Sequence, residues 1–174
     1  MTPSCYIDRM KRASETFSFA CTPETYWSIF ADPDYTRALY LEGLRFSSLK
    51  VLEDGAAGRK LHLVPRLALP GPLAKVIGDS FAYEQHGTLD RARGVWSWRM
   101  MPPGGGNKKQ MVTSRGTTTV VADGEGRCRR TDEVEFEAHL FGLGGLLEST
   151  VEKELRASWD KERAFFESWL KKRS

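Results

Sequence analysis

Residues 143–173 read LGGLLESTVEKELRASWDKERAFFESWLKKR, and this stretch decides the fold. Leu147, Val151, Leu155, Trp159, Phe166 and Leu170 follow the helical apolar period, and Phe165 and Trp169 widen the stripe. Glu148, Glu152 and Glu154 come early and Lys171, Lys172 and Arg173 late, as the helix dipole favours. The spacing predicts one long helix from Leu143 to Arg173, and such a helix needs an apolar surface to lie on. Upstream, alternation predicts strands over Leu44–Glu53, Arg59–Val64, Phe81–Leu89, Val95–Met101, Gln110–Ala122 and Arg127–Leu140. Gly- and Pro-rich turns separate them. Phe17, Phe19 and Cys21 alternate with Ser18 and Ala20 as a further strand. Thr22 is then an N-cap and Pro23 a first helical residue. That helix carries Tyr26, Trp27, Ile29 and Phe30. A second short helix runs from Pro33 to Leu41 and ends at Gly43.

The order is strand, two short helices, six strands, long helix. The expected class is α+β: a curved seven-stranded antiparallel sheet wrapped around a long C-terminal helix, with two short helices after strand 1. No parallel crossover helices separate the strands, which argues against a Rossmann-type sheet. The chain has 174 residues, a length that suits one domain over 11–174 behind an N-terminal extension, 1–10. Hydrophobic residues make up 40% and charged residues 28%, with net charge +3. That composition excludes a wholly disordered or collagen-like chain.

Cys5, Cys21 and Cys128 are widely spaced with no CxxC pair, so they read as free thiols in a reducing cytoplasm. Met1–Arg12 has no apolar run of the kind a signal peptide needs. The nearly apolar stretch Leu67–Ile77 is broken by Pro70, Gly71, Pro72 and Lys75 and is too short to span a bilayer. The expected location is cytoplasmic. The small positive balance shows no basic stripe with interleaved aromatics, so no nucleic-acid partner is expected.

Two segments carry a family likeness. Phe17-Ser18-Phe19 followed by Thr22-Pro23-Glu24-Thr25-Tyr26-Trp27, and Gly142-Leu143-Gly144-Gly145-Leu146-Leu147-Glu148 opening the last helix, resemble the START-like superfamily. This is the helix-grip or birch-pollen-allergen-like fold, and the likeness is nearest to a bacterial branch of unknown function. The resemblance covers nearly the whole chain and implies a START-like domain with a cavity for a hydrophobic small molecule or lipid. It implies no reaction, since these are fold signatures. Polyketide cyclases and aromatases share the resemblance, as do co-chaperone members that act by protein contact.

Strand parity nominates the cavity. Trp96, Trp98 and Met100 share one face, and two large aromatics belong inside. Phe81, Tyr83 and Gln85, Leu61 and Leu63, and Val134 and Phe136 follow inward, with Leu147 and Val151 opposite on the helix. Glu162 falls within the apolar stripe. It reads either as a polar anchor or acid in the cavity, or as a structural pair with Arg163's neighbours or a strand arginine such as Arg99 or Arg115. Glu154 borders the same face. In a meander alternate turns share an end, so Pro65–Ser80, Pro102–Lys109 and His139–Gly145 form one rim. The first carries Leu69, Leu73 and Ile77, a lid or a packed segment. Lys75, Lys108 and Lys109 on that rim allow transient membrane contact.

No cofactor and no metal are expected. His62, His86 and His139 lack ligand spacing, and His62 and His86 point outward beside Glu84. No Gly-x-Ser-x-Gly elbow occurs. Gly142, Gly144 and Gly145 read as letting the last helix start close to the sheet. No catalytic residue is assigned. Binding or transport of an apolar molecule is the leading expectation, with a cyclase- or aromatase-like enzyme and a protein-interaction domain as alternatives.

Overall fold

Period-two runs of Val, Thr, Leu and Trp resolve into strands, and Pro-led segments into short helices, in the computed structural model of the chain. It describes residues 10–56, 58–78, 81–106 and 109–173. The order is β1 (Lys11–Phe19), α1 (Pro23–Phe30), α2 (Pro33–Ala38), β2 (Ser48–Asp54), β3 (Gly58–Val64), α3 (Gly71–Ile77), β4 (Tyr83–Asp90), β5 (Val95–Met101), β6 (Val112–Ala122), β7 (Cys128–Ala138) and α4 (Gly144–Arg173). The strands form one antiparallel sheet in the order β1-β7-β6-β5-β4-β3-β2. Only β1 leaves sequence order, crossing to pair with β7 from Lys11 opposite Phe136 to Phe19 opposite Cys128. Cys5, Lys108 and residues 1–9 of the expected extension lie outside the described residues.

One device starts both early helices. Thr22 Oγ1 accepts from the Thr25 N–H at 3.2 Å and Pro23 follows it. Asp32 Oδ1 accepts from the Asp34 N–H at 2.9 Å and Pro33 follows it. Each cap satisfies an orphan donor, and each proline occupies a position with no donor to lose. After α2 the chain widens into one π turn, Leu39–Gly43, closed by the Leu44 N–H on the Leu39 carbonyl at 2.7 Å. Arg45 then takes φ 58°. This turn is why β2 begins at Ser48 and not at Leu44.

Six inter-strand spacings of about 4.8 Å make the sheet roughly 29 Å wide. A helix with its side chains is about 10–12 Å across. So α4 covers part of the concave face only, and it lies on the β1–β7 side. Trp159 packs on Ala13, Val134 and Phe136. At the C-terminal end Phe166, 1% exposed, enters an aromatic cluster. Its ring centroid lies 4.8 Å from those of Phe19 and Tyr26 and 5.9 Å from that of Tyr35. At the N-terminal end Leu147 meets Leu73 of α3 and Val112 of β6. The connection read as a lid or packed segment is thus partly helical, and Leu73 is fully buried.

The glycines before α4 do not serve close approach. A Cβ on Gly144 would meet nothing nearer than 3.9 Å, and one on Gly145 nothing within 4 Å. The special position is Gly142, whose φ of 74° lies in the left-handed region. Cys21 and Cys128 are buried free thiols with sulfurs 3.9 Å apart.

Outside the sheet, Glu84 ties β4 to the β5–β6 turn. Its Oε1 accepts from the Gly104 N–H at 2.7 Å, and its Oε2 lies 2.7 Å from His86 Nε2. Burial raises the carboxyl pKa, but the Gly104 N–H and His86 outweigh it and hold the group below its ordinary value. A carboxylate depressed by folding stabilises above its unfolded pKa of about 4.3, and that contribution fades as pH falls through the folded value. Glu84→Gln is therefore expected to lose about 1.5–3 kcal/mol near neutral pH, with the gap to wild type closing below about pH 4. Urea unfolding across pH measures this, and a pH-independent gap contradicts the linkage. Phe166→Ala is expected to cost about 3–5 kcal/mol, read as a lower urea midpoint at unchanged slope.

Candidate ligand cavity

The strip of concave face that α4 leaves open, mainly over β3, β4 and β5, is bounded by α1, α2, the π turn and α3. Two adjoining chambers lie beneath it, sharing Tyr83, Gln85, Trp98, Val134, Leu155 and Ser158 as walls. The outer one, about 200 Å³, is apolar and lies at the α3 end. Leu69, Ile77, Phe81, Met100, Met111, Leu147 and Val151 line it, with Glu154 and Lys161 at its helix wall. The inner one, about 160 Å³, is lined by Trp96, Trp98, Tyr26, Tyr35, Tyr40 and Tyr83 and by Arg59, Arg130, Asp132 and Glu162. Of the residues expected here from sequence, Tyr83, Gln85 and Trp98 face both chambers. Met100, Leu147, Val151, Leu69 and Ile77 face the outer and Trp96 and Glu162 the inner. Leu73 packs beneath α3, away from either.

Glycines seat the two tryptophans. A Cβ on Gly87 would fall 2.0 Å from the Trp96 ring, and one on Gly116 2.9 Å from the Trp98 ring. The indoles therefore lie flat over β4 and β6 and form a floor where a side chain would otherwise stand.

A buried charge group ties helix to sheet. Arg130 Nη2 donates to Glu162 Oε2 at 2.7 Å, and Arg130 Nε lies 2.7 Å from Asp132 Oδ2. Thr118 Oγ1 donates to Asp132 Oδ1 at 2.6 Å. Arg130 Nε and Asp132 Oδ2 are close but misaligned, so theirs is an ion pair and not a hydrogen bond. The arginine that meets Glu162 is thus Arg130, not Arg99 or Arg115. Arg115 shares the outer face with Glu135, 2.7 Å from it, because Ser114 and Gly116 take the concave positions.

Glu162 keeps 24% of its side chain exposed, and it lines the inner chamber. Desolvation raises its carboxyl pKa and Asp132 adds to that. Arg130 pulls it back only in part, so the group stays above the ordinary carboxylate value. Burial raises the phenols of Tyr26, Tyr35 and Tyr83 as well, and pushes Tyr40 up to about 12. At neutral pH these four tyrosines present neutral phenols to the chamber. Among the described residues no group of three His, Cys, Asp or Glu side chains could hold a metal. No helix among them is long and apolar enough to cross a membrane.

Sequence reasoning stopped short of Arg130, Asp132 and Arg59. The signal was present: Val134 and Phe136 inward puts Asp132 and Arg130 inward by the same parity, and Leu61 and Leu63 inward does so for Arg59.

Residues 14–170 match the family described as "Protein of unknown function (DUF2505)". The chain belongs to this family. A comparison with curated protein sequences finds no match. Among solved structures, the Zhui aromatase/cyclase from Streptomyces sp. R1128 superposes with TM-score 0.66 at 17% identity, over 88% of this chain and 91% of its own. A norcoclaurine synthase from Thalictrum flavum, solved with a transition-state analogue, gives 0.63 at 18% over 91% and 96%. A START superfamily protein from Mycobacterium smegmatis gives 0.60 at 13% over 94% and 99%. At these identities the likeness is one of fold, and the DUF2505 chain has the START-like helix-grip fold.

Arg130→Met leaves Asp132 and Glu162 buried without their cation. It is expected to cost about 3–5 kcal/mol at neutral pH and less in acid, where the Glu162 carboxyl, already held above its ordinary value, protonates. Urea unfolding at the two pH values checks this, and equal losses contradict it.

Proposed function

We propose that this chain binds an apolar small molecule between the sheet and α4, body in the outer chamber and polar end in the inner. The observation that carries this is the gradient between adjoining chambers. The outer is walled mainly by Leu, Ile, Met and Phe, with Arg66, Glu154 and Lys161 at its edge, and the inner carries the tyrosines and the buried Arg59, Arg130, Asp132 and Glu162. Apolar walls supply affinity at about 25 cal/mol per Å² before association costs, and a few fixed polar groups supply orientation. The fold relatives support the general kind of partner, since one is an aromatase/cyclase and another a synthase solved with a bound analogue.

Cyclase-like chemistry is the second reading. It is favoured by Glu162, a carboxyl held above its usual value and open to the chamber.

Native mass spectrometry of freshly purified protein, followed by denaturing extraction, tests the proposal. A stoichiometric apolar adduct is expected, and adding the extracted compound back is expected to raise the melting temperature. A clean unliganded mass, with no thermal response to apolar compounds, overturns it. Recovery of a chemically altered compound after incubation favours the second reading.

A further inference from the structure

Arg59 is the second guanidinium of the inner chamber, and its charge is unmatched. The residue is 8% exposed. Its Nη1 donates to Thr36 Oγ1 at 2.8 Å and to the Phe30 carbonyl at 3.3 Å, both neutral acceptors. Its guanidinium carbon lies 4.7 Å from the Phe30 ring centroid and 5.3 Å from that of Trp96. Its Nε is buried with no hydrogen-bond partner. Asp54 stands opposite on β2, yet among the described residues Arg59 makes no ion pair. Arg130 differs, being held between Asp132 and Glu162.

Aromatic faces attract a cation without neutralising it. Buried charges are normally paired, and a buried guanidinium with a free N–H is costly to keep. The two rings and Thr36 fix this one between the inner chamber and a second, more open hollow beside Asp54, and the chamber is the side that adjoins the apolar space.

We propose that Arg59 anchors the anionic head of the bound molecule, and that the ligand class is an apolar carboxylic acid. This rests on the ligand reading above. A single guanidinium without an ion pair suits a monoanion. The chamber's two guanidiniums and two carboxylates already balance when all are charged, so a phosphate dianion would leave two excess negative charges there and a carboxylate at most one. The space limits the head as well. About 160 Å³ is close to the volume of an apolar cavity that takes one benzene ring. A carboxylate on a ring or chain fits, with its body running past Trp98 to the outer chamber.

Matched probes test this: phenylbutyrate against phenylbutanol, and decanoate against decanol, with affinity read by titration of the tryptophan fluorescence, to which Trp96, Trp98 and Trp159 contribute from the chamber wall. Each acid is expected to bind at least about tenfold tighter than its alcohol, the contribution of a charge-assisted hydrogen bond. Arg59→Met is expected to bring the ratio of acid to alcohol affinity close to one, whatever the absolute affinities of the variant. The wild-type comparison needs no variant, so misfolding of Arg59→Met leaves the test intact. Equal binding of acid and alcohol by wild type, or a preference that survives in folded Arg59→Met, overturns the role of Arg59 and leaves the cavity reading standing. Failure of all four probes to bind, with no adduct on the purified protein, overturns both.

Discussion

A sheet roughly 29 Å wide gripping one helix leaves part of its concave face without a partner, and the rest of the molecule is arranged around that strip. α4 takes the β1–β7 side, where Trp159 and Phe166 bury themselves. α1, α2 and the π turn wall one end of the remainder and α3 the other. Widening the helix contact would require a second long helix, and the described residues hold none besides α4. Side chains fill the gap incompletely, and what they leave is two small chambers.

The polar chemistry follows from the same geometry. A helix laid on one side of the sheet brings Glu162 over β7, where Arg130 and Asp132 share the concave face. Removing these groups from water is costly, so they hold one another and fix the height of α4 above the sheet. Arg59, across the opening on β3, lies beyond the reach of that group and leans on Phe30, Trp96 and Thr36 instead. One chamber thus contains a guanidinium paired with two carboxylates and one that makes no ion pair among the described residues.

Most of the fold was legible because it rests on periods. Leu147 to Leu170 announces α4, and Trp96, Trp98 and Met100 announce which face of β5 is inside. Thr22-Pro23 opens α1 as its cap chemistry dictates. Three things were hidden. The π turn at Leu39–Gly43 has no local signature and displaced the start of β2. The partner of Glu162 depends on where α4 settles across the sheet, a tertiary distance that spacing along the chain does not encode. Arg59 sits next to Leu61 and Leu63 in parity, but a charged residue at a strand end reads as surface until the rings that cover it are in place.

The pairing of β1 with β7 joins residues more than a hundred positions apart. Local contacts are cheap to close and distant ones slow. During synthesis β1 must wait without its partner until Cys128–Ala138 has been made, and α4 follows later still. The concave face therefore faces water through most of translation, and the apolar strip that α4 leaves open is at first only part of a larger exposed surface. α4 does more than complete the core: its arrival covers apolar surface that the sheet alone leaves open and gives the molecule a defined interior.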